Sequence, residues 1–393
     1  MTPDDVVIVG GGPAGSATAL LLARAGAGVR IVERARFPRT KVCGEYVNGG
    51  AVDALARLGV LDAVRAVSSP LRGVRLVPPG AEPVALAFAR PALACAREVL
   101  DAVLLDAAAA AGAIVERARA DELILENGRC AGVRVRTADG GLEERRARVI
   151  VGADGLGSVV ARKLGLTKPV RRGARYAVGG HYAGFGAFDG HVEMYVGGGA
   201  YFALNPLSEL RANVMVVVPK ERLAVWSRDV DAGVGGVADV LGRGVRSFAG
   251  AVRLGPRVSM GPLAHDVRRP SAPGALLVGD AAGFLDPFTG QGVFLALTGA
   301  ERAADAILAA LRDRAGEAAA FGAYARWRTN DVAWRRRLCA TVALLIEVPP
   351  LARRAATRLA RFPDVAATLV DVLAGAIPPR HAFRPSVLGR LLA

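Results

Sequence analysis

The run Gly10-Gly11-Gly12-Pro13-Ala14-Gly15 constrains this chain more than any other feature, because of what flanks it. Val6–Val9 is a short apolar run, Pro13–Ala25 has the small residues and spacing of a helix, and Val29–Val32 is a second apolar run. Strand, tight turn, helix and strand make a βαβ unit. Gly10 allows the turn out of the strand, Gly12 lets backbone approach a pyrophosphate, and Gly15 lets the helix pack closely on the strand. The helix opens with free N–H groups and the positive end of its dipole, both of which attract phosphate. Glu33 ends the second strand about 20 residues on, where a carboxylate accepts hydrogen bonds from adenosine ribose hydroxyls, and Arg34 follows it. Alone a GxGxxG is a common turn; in this setting it predicts a dinucleotide site.

The motif does not separate FAD from NAD, but later segments do. Val151-Gly152-Ala153-Asp154-Gly155 ends one strand and Leu277-Val278-Gly279-Asp280-Ala281-Ala282 ends another, the latter running on through Gly283 to Asp286-Pro287-Phe288-Thr289-Gly290-Gln291-Gly292. Three nucleotide-type pieces in this order resemble the flavoprotein hydroxylase superfamily, and more closely its geranylgeranyl-reductase-like branch. The resemblance covers nearly the whole chain. It implies that Gly279 and Asp280 lie at the ribityl chain of FAD, that Pro287–Gly292 lies against the isoalloxazine, and that Arg97, opening a helix with Leu100 and Asp101, contacts FAD. The resemblance also implies that a helix starting at Gly292 points its dipole at the flavin, where reduced flavin carries negative charge. Gly290, Gln291 and Gly292 would let the ring seat closely.

Phe37-Pro38-Arg39-Thr40-Lys41-Val42-Cys43-Gly44-Glu45 resembles the Pro-Arg-x-Lys-x-Cys-Gly-Gly segment of the reductase branch, with Glu45 in place of the second glycine. Tyr201-Phe202-Ala203-Leu204-Asn205-Pro206 is a degraded Tyr-x-Trp-x-Phe-Pro. The Trp-x-Trp-x-Ile-Pro of related halogenases is absent. These departures turn the expectation toward a tailoring monooxygenase acting on an aromatic or polyketide-like hydrophobic molecule. Reduction of isoprenoid double bonds and quinone-linked electron transfer are the alternatives. Gly233–Ala238 fits GxGxxA, but no apolar strand precedes it, so NAD(P)H would be a transiently bound donor.

The expected fold is α/β: a discontinuous Rossmann-like FAD domain (1–70, 97–174 and 260–330), an inserted antiparallel substrate-binding sheet (71–96 and 175–259) and C-terminal helices (331–393). Tyr176–Val218 alternates like strands, a helix or two is expected over 222–249, and prolines break the last stretch into short helices. Cys43, Glu45, Tyr46, His181 and Tyr201 are the candidates for catalysis, as polar or reactive groups beside the flavin; His191, Glu193 and Tyr195 share the inserted sheet. Each has a bland alternative: a small buried thiol, a capped loop, a satisfied sheet residue. His265 is expected to be structural, and no metal site is expected.

Of the 393 residues 52% are hydrophobic, enough for a sizeable core in two or three domains. The net charge of +15 comes almost wholly from scattered Arg, with Arg335-Arg336-Arg337 the one run of three, so no nucleic-acid partner is expected. Four distant cysteines make no disulfide framework, and the apolar run near Ala340–Ile346 is too short to span a bilayer. A cytoplasmic protein with a small hydrophobic substrate is the default reading. The basic C-terminal helices are either a membrane-surface element or an appendage with Arg facing water, and the oligomeric state stays open.

Overall fold

The computed structural model describes residues 4–169, 175–197, 200–223 and 250–392. The GxGxxA segment and nearly all of the 222–249 stretch lie outside the described residues. Strand β1 (Asp4–Val9) lies between two parallel neighbours, β2 (Val29–Glu33) and β8 (Leu142–Gly152), with Val6 opposite both Val29 and Val149. A central parallel strand is covered on both faces and must be apolar throughout, as Val6–Val9 is. Strands β6 (Ile114–Glu126) and β15 (Ala275–Leu277) extend the parallel sheet beyond β2 and β8. The far ends of β6 and β8 run on into an antiparallel meander with β7 (Arg129–Thr137).

Helices α1 (Pro13–Arg24), α4 (Arg97–Ala110) and α6 (Gly292–Arg312) cover one face of this sheet around Leu20, Leu104 and Leu297. The meander and the short helix α5 (Val159–Lys163) cover the other, around Val7, Val133 and Ile150. Proline at the first position of α1 lacks only an N–H that the helix leaves unpaired.

Among the described residues the second sheet has eight strands in the order β13-β9-β12-β11-β10-β4-β5-β3. They are β3 (Tyr46–Val47), β4 (Ser69–Val77), β5 (Val84–Ala94), β9 (Arg175–Ala183), β10 (His191–Gly197), β11 (Ala200–Pro206), β12 (Arg211–Pro219) and β13 (Val252–Met260). The sheet is antiparallel except at one joint, β4 with β10, where the two separate stretches of chain meet. Period-two alternation divides it into two faces. Tyr195, Phe202, Val214 and Val216 pack in a core on one face. Ala177, Met194, Tyr201 and Val217 look the other way, toward the first sheet and the C-terminal helices.

Those helices are α7 (Glu317–Glu347), α8 (Pro349–Arg361), α9 (Pro363–Leu373) and α10 (Pro385–Leu392). Prolines punctuate this region as expected, each one opening the helix that follows. The boundary expected at 330/331 falls inside α7, one continuous helix that packs on α6 with its first half and reaches the second sheet with its last. Arg335 pairs with Asp331 and Arg336 with Asp266, and Arg337 lies over the Trp334 ring, so the contiguous arginines are committed to partners within the protein.

Candidate active site

At the glycine turn the backbone geometry leaves no choice of residue. Gly10 has φ +104°, and a Cβ there would come within 2.6 Å of the Ala153 carbonyl oxygen. A Cβ at Gly15 would land on the Gly10 carbonyl oxygen. Gly12 differs: it meets nothing closer than 3.5 Å and faces a cavity that Pro13 and Ala14 also line. Glu33 is buried and accepts hydrogen bonds from the N–H groups of Gly11 (2.7 Å) and Ala35 (2.8 Å), tying the end of β2 to the turn. Arg34 is exposed and does not line the cavity.

The cavity measures about 380 Å³ and is continuous from the glycine turn to the C-terminal helices. Gly279, Asp280, Pro287, Gly290, Gln291 and Gly292 line it, as does Arg97. The Arg97 guanidinium is buried in a two-pronged pair with Asp101 (2.7 and 2.8 Å), and Arg39 reaches the same carboxylate (3.2 Å). Burial opposes the Arg97 charge, but Asp101 and Cys43 outweigh it and raise the pKa. Lys41 also lines the cavity, and burial followed by the repulsion of Arg97 pushes its pKa down. Asp154 is a correction: its carboxylate accepts from Ser158 Oγ (2.5 Å) and the Val159 N–H (2.6 Å), capping α5, so only its neighbours Ala153 and Gly155 line the cavity.

These residues fit FAD. Gly12 and Gly292 leave open space where other residues would put side chains, the first turn of α6 opens at Gly292, and Lys41 is a buried cation in the wall. Gln291 donates to the Val372 and Leu373 carbonyls, while its buried Oε1 has no partner among the described residues and is free to accept from a ligand.

The expected catalytic residues separate into two groups. Cys43, Glu45, Tyr46 and Tyr201 all line the cavity. The Tyr201 hydroxyl donates to Asp286 (2.9 Å), which Arg175 also holds (3.3 Å), so Tyr201 fastens the Asp286–Gly290 loop to the second sheet. Glu45 has φ +56°, the left-handed region, at the position where the resembled pattern carries glycine. A non-glycine residue there costs about 1–2 kcal/mol. Glu45 is buried; its Oε1 accepts from the Arg97 N–H (2.9 Å) and its Oε2 meets His181 Nε2 (2.8 Å). That hydrogen bond raises the His181 pKa above its ordinary value against the lowering effect of burial. His181 does not line the cavity and is only partly buried, so the pair runs from the cavity wall toward the outside.

Strand parity places Glu193 and Tyr195 as sheet residues away from the cavity. They alternate with Val192, Met194 and Val196, which line the cavity, so they point to the opposite face, where Tyr195 donates to Glu193 (2.7 Å). His191 pairs with Asp189 (3.0 Å) on that strand's border, and His265 meets the Ala281 carbonyl (3.0 Å) as a structural residue would.

Three cavity residues escaped the sequence reading. Arg328 on α7 is buried and donates to the Gly279 and Gly283 carbonyls, its Nε and Nη1 having no partner among the described residues; nothing distinguishes it from other arginines in the sequence. Lys41, a rare lysine in an Arg-rich chain, carried a usable signal. Asn205 carried one too, as a polar residue where the resembled pattern has Phe.

A family model described as an FAD binding domain matches residues 4–335. The chain belongs to that family. It is an FAD-dependent oxidoreductase of the geranylgeranyl-reductase-like branch. It is 33% identical over 310 residues to digeranylgeranylglycerophospholipid reductase 2 of Methanopyrus kandleri, covering 75% of this chain and 74% of that protein. It is 30% identical over 322 residues to menaquinone reductase of Mycolicibacterium smegmatis, covering 74% and 73%. A solved flavin-dependent brominase, 22% identical, matches 96% of this chain and 94% of its own with a TM-score of 0.86, a likeness of fold. The C-terminal helices α7 to α10 of this flavoprotein line its cavity, and among the described residues no helix is long and apolar enough to cross a membrane.

Proposed function

We propose that this flavoprotein adds hydrogen across a carbon–carbon double bond of a long isoprenoid-type lipid, with electrons from transiently bound NAD(P)H. The observation that carries this reading is the far half of the cavity. Beyond Tyr46 and Tyr201 its walls are Val74, Leu76, Met194 and Val217 from the second sheet and Val342, Leu345, Leu359, Leu369 and Leu391 from the helices. A cavity whose walls are this aliphatic favours an aliphatic ligand. The lipid reductases to which the chain is similar, named above, support the same reaction.

Bound FAD, once reduced, supplies a hydride. The protein's task is to hold the double bond still, exclude water and deliver the balancing proton. Glu45 lies in the wall and His181 behind it, so a proton accepted outside by His181 can pass to Glu45 and on to the cavity. Tyr201 and Arg175 hold the Asp286 loop that forms the floor.

Monooxygenation of a ring remains a second reading, because the same Glu45–His181 pair can take a proton from a phenol. One experiment separates them. The FAD-loaded protein is reduced anaerobically and mixed with a geranylgeranyl lipid, and product mass is measured before and after oxygen is admitted. A gain of two hydrogens without oxygen supports reduction. A product that appears only with oxygen and gains one oxygen atom overturns it in favour of the second reading.

A further inference from the structure

One corner of the cavity does not match the rest. Asn205 on β11 is 1% exposed and lines the cavity among aliphatic and aromatic neighbours. Its Nδ2 donates to the Gly44 carbonyl (2.9 Å), which fixes the amide orientation, since a flipped amide would set oxygen against oxygen. Its Oδ1 has no hydrogen-bond partner among the described residues. A buried acceptor without a donor is costly unless a ligand supplies one. The neighbouring Glu45 carboxylate uses one lone pair of each oxygen, on Arg97 and His181, and keeps acceptor capacity. Across the strand pair Asn213 stands opposite Asn205, and its buried Oδ1 also lacks a partner among the described residues. Tyr46 and Phe88, with ring centres 5.7 Å apart, wall the same end of the cavity. Both unfilled polar atoms here are acceptors, so the missing partner is a donor, and among the polar ends a lipid carries, a hydroxyl donates where a carbonyl, ether or phosphate ester does not.

We propose that Asn205 and Glu45 form a subsite for a substrate hydroxyl, so that the polar end of a long-chain alcohol or phenol, not the interior of its chain, is presented at the flavin. This rests on the reading of the far cavity as a lipid tunnel. The same placement limits reaction to the bond or ring nearest the hydroxyl and leaves distant double bonds of a polyprenyl chain untouched.

The test is binding to the oxidised, FAD-loaded protein, followed by perturbation of the flavin absorbance. Two pairs of probes are compared, geranylgeraniol with its methyl ether and pentadecylphenol with its methyl ether, together with unsubstituted phenol. The hydroxyl member of at least one pair is expected to bind about tenfold tighter than its ether, a difference of about 1.4 kcal/mol. Preference in the first pair alone identifies an isoprenoid alcohol, and in the second alone a phenolic lipid. N205L is expected to abolish the preference while long chains still bind better than phenol. Equal binding of hydroxyl and ether in both pairs, with the chain-length advantage intact, overturns the subsite and leaves the lipid reading standing. Loss of the chain-length advantage sinks the lipid reading itself. If N205L lowers FAD affinity, the amide serves the cofactor and the proposal fails. If that variant does not fold, the wild-type comparison of hydroxyl with ether decides alone.

Discussion

The two ends of the cavity are made of different material. The glycine end is built from backbone: Gly10 and Gly15 have no room for a Cβ, and Gly279 and Gly290 take positive φ with neighbours at van der Waals contact or closer. The tail end is built from aliphatic side chains of β4, β10, β12 and four C-terminal helices. A backbone cradle has one solution, because a single added methyl meets a carbonyl oxygen that cannot move. An aliphatic tunnel has many, because volume and apolarity are what it must keep. Change at the first end should therefore be all-or-none, and change at the second graded.

The largest expected effect follows from Gly15. G15V places side-chain atoms on the Gly10 carbonyl and should abolish FAD retention, measured as the flavin-to-protein absorbance ratio after gel filtration. A fully loaded G15V would break the comparison at its stronger end. Next comes Arg97, whose loss strands the fully buried Asp101. R97M should cost about 3–5 kcal/mol in denaturant unfolding, with Arg39 softening the figure. A355W projects an indole from α8 into the tunnel. It should lower turnover of long-chain substrate about tenfold, equivalent to about 1.4 kcal/mol, while FAD content is unchanged. Equal loss with short-chain analogues would contradict a tunnel. Y201F removes one hydrogen bond to Asp286 and should cost about 1 kcal/mol of stability, read together with a shifted flavin spectrum.

The smallest effect is pH-dependent. The Glu45 hydrogen bond raises the His181 pKa, so the folded state binds a proton more tightly than the unfolded chain. The stabilisation is complete below the ordinary histidine value of about 6.5 and is lost as pH rises through the raised folded value. In E45Q that slope should flatten in a stability-against-pH profile. An unchanged slope would show that His181 does not answer to Glu45.

The same contrast explains what could be read from the sequence. The glycine turn, Glu33, the Gly279–Gly292 segment and the βαβ order are local patterns whose geometry follows from a few adjacent residues. The tunnel is not local. It forms where β4 and β10, more than a hundred residues apart in the chain, pair in parallel and where α7 turns back over them. Strand parity on β10 was needed to see that Met194 faces the cavity while Glu193 and Tyr195 do not. Asp154 had the right motif, but its carboxylate is taken up by the N-terminus of α5. Helix α7 runs through the boundary expected at 330/331, since no proline interrupts it before Pro349.

The central claim is that one cavity holds FAD at its glycine end and a long lipid at the other. It is tested most directly by mixing anaerobically reduced, FAD-loaded protein with unsaturated isoprenoid lipids of increasing length and following flavin reoxidation in single turnover. The account predicts reoxidation without oxygen, faster as the chain lengthens until the tunnel is filled, with two hydrogens gained per flavin reoxidised. Reoxidation that waits for oxygen, or that ignores chain length, would contradict it.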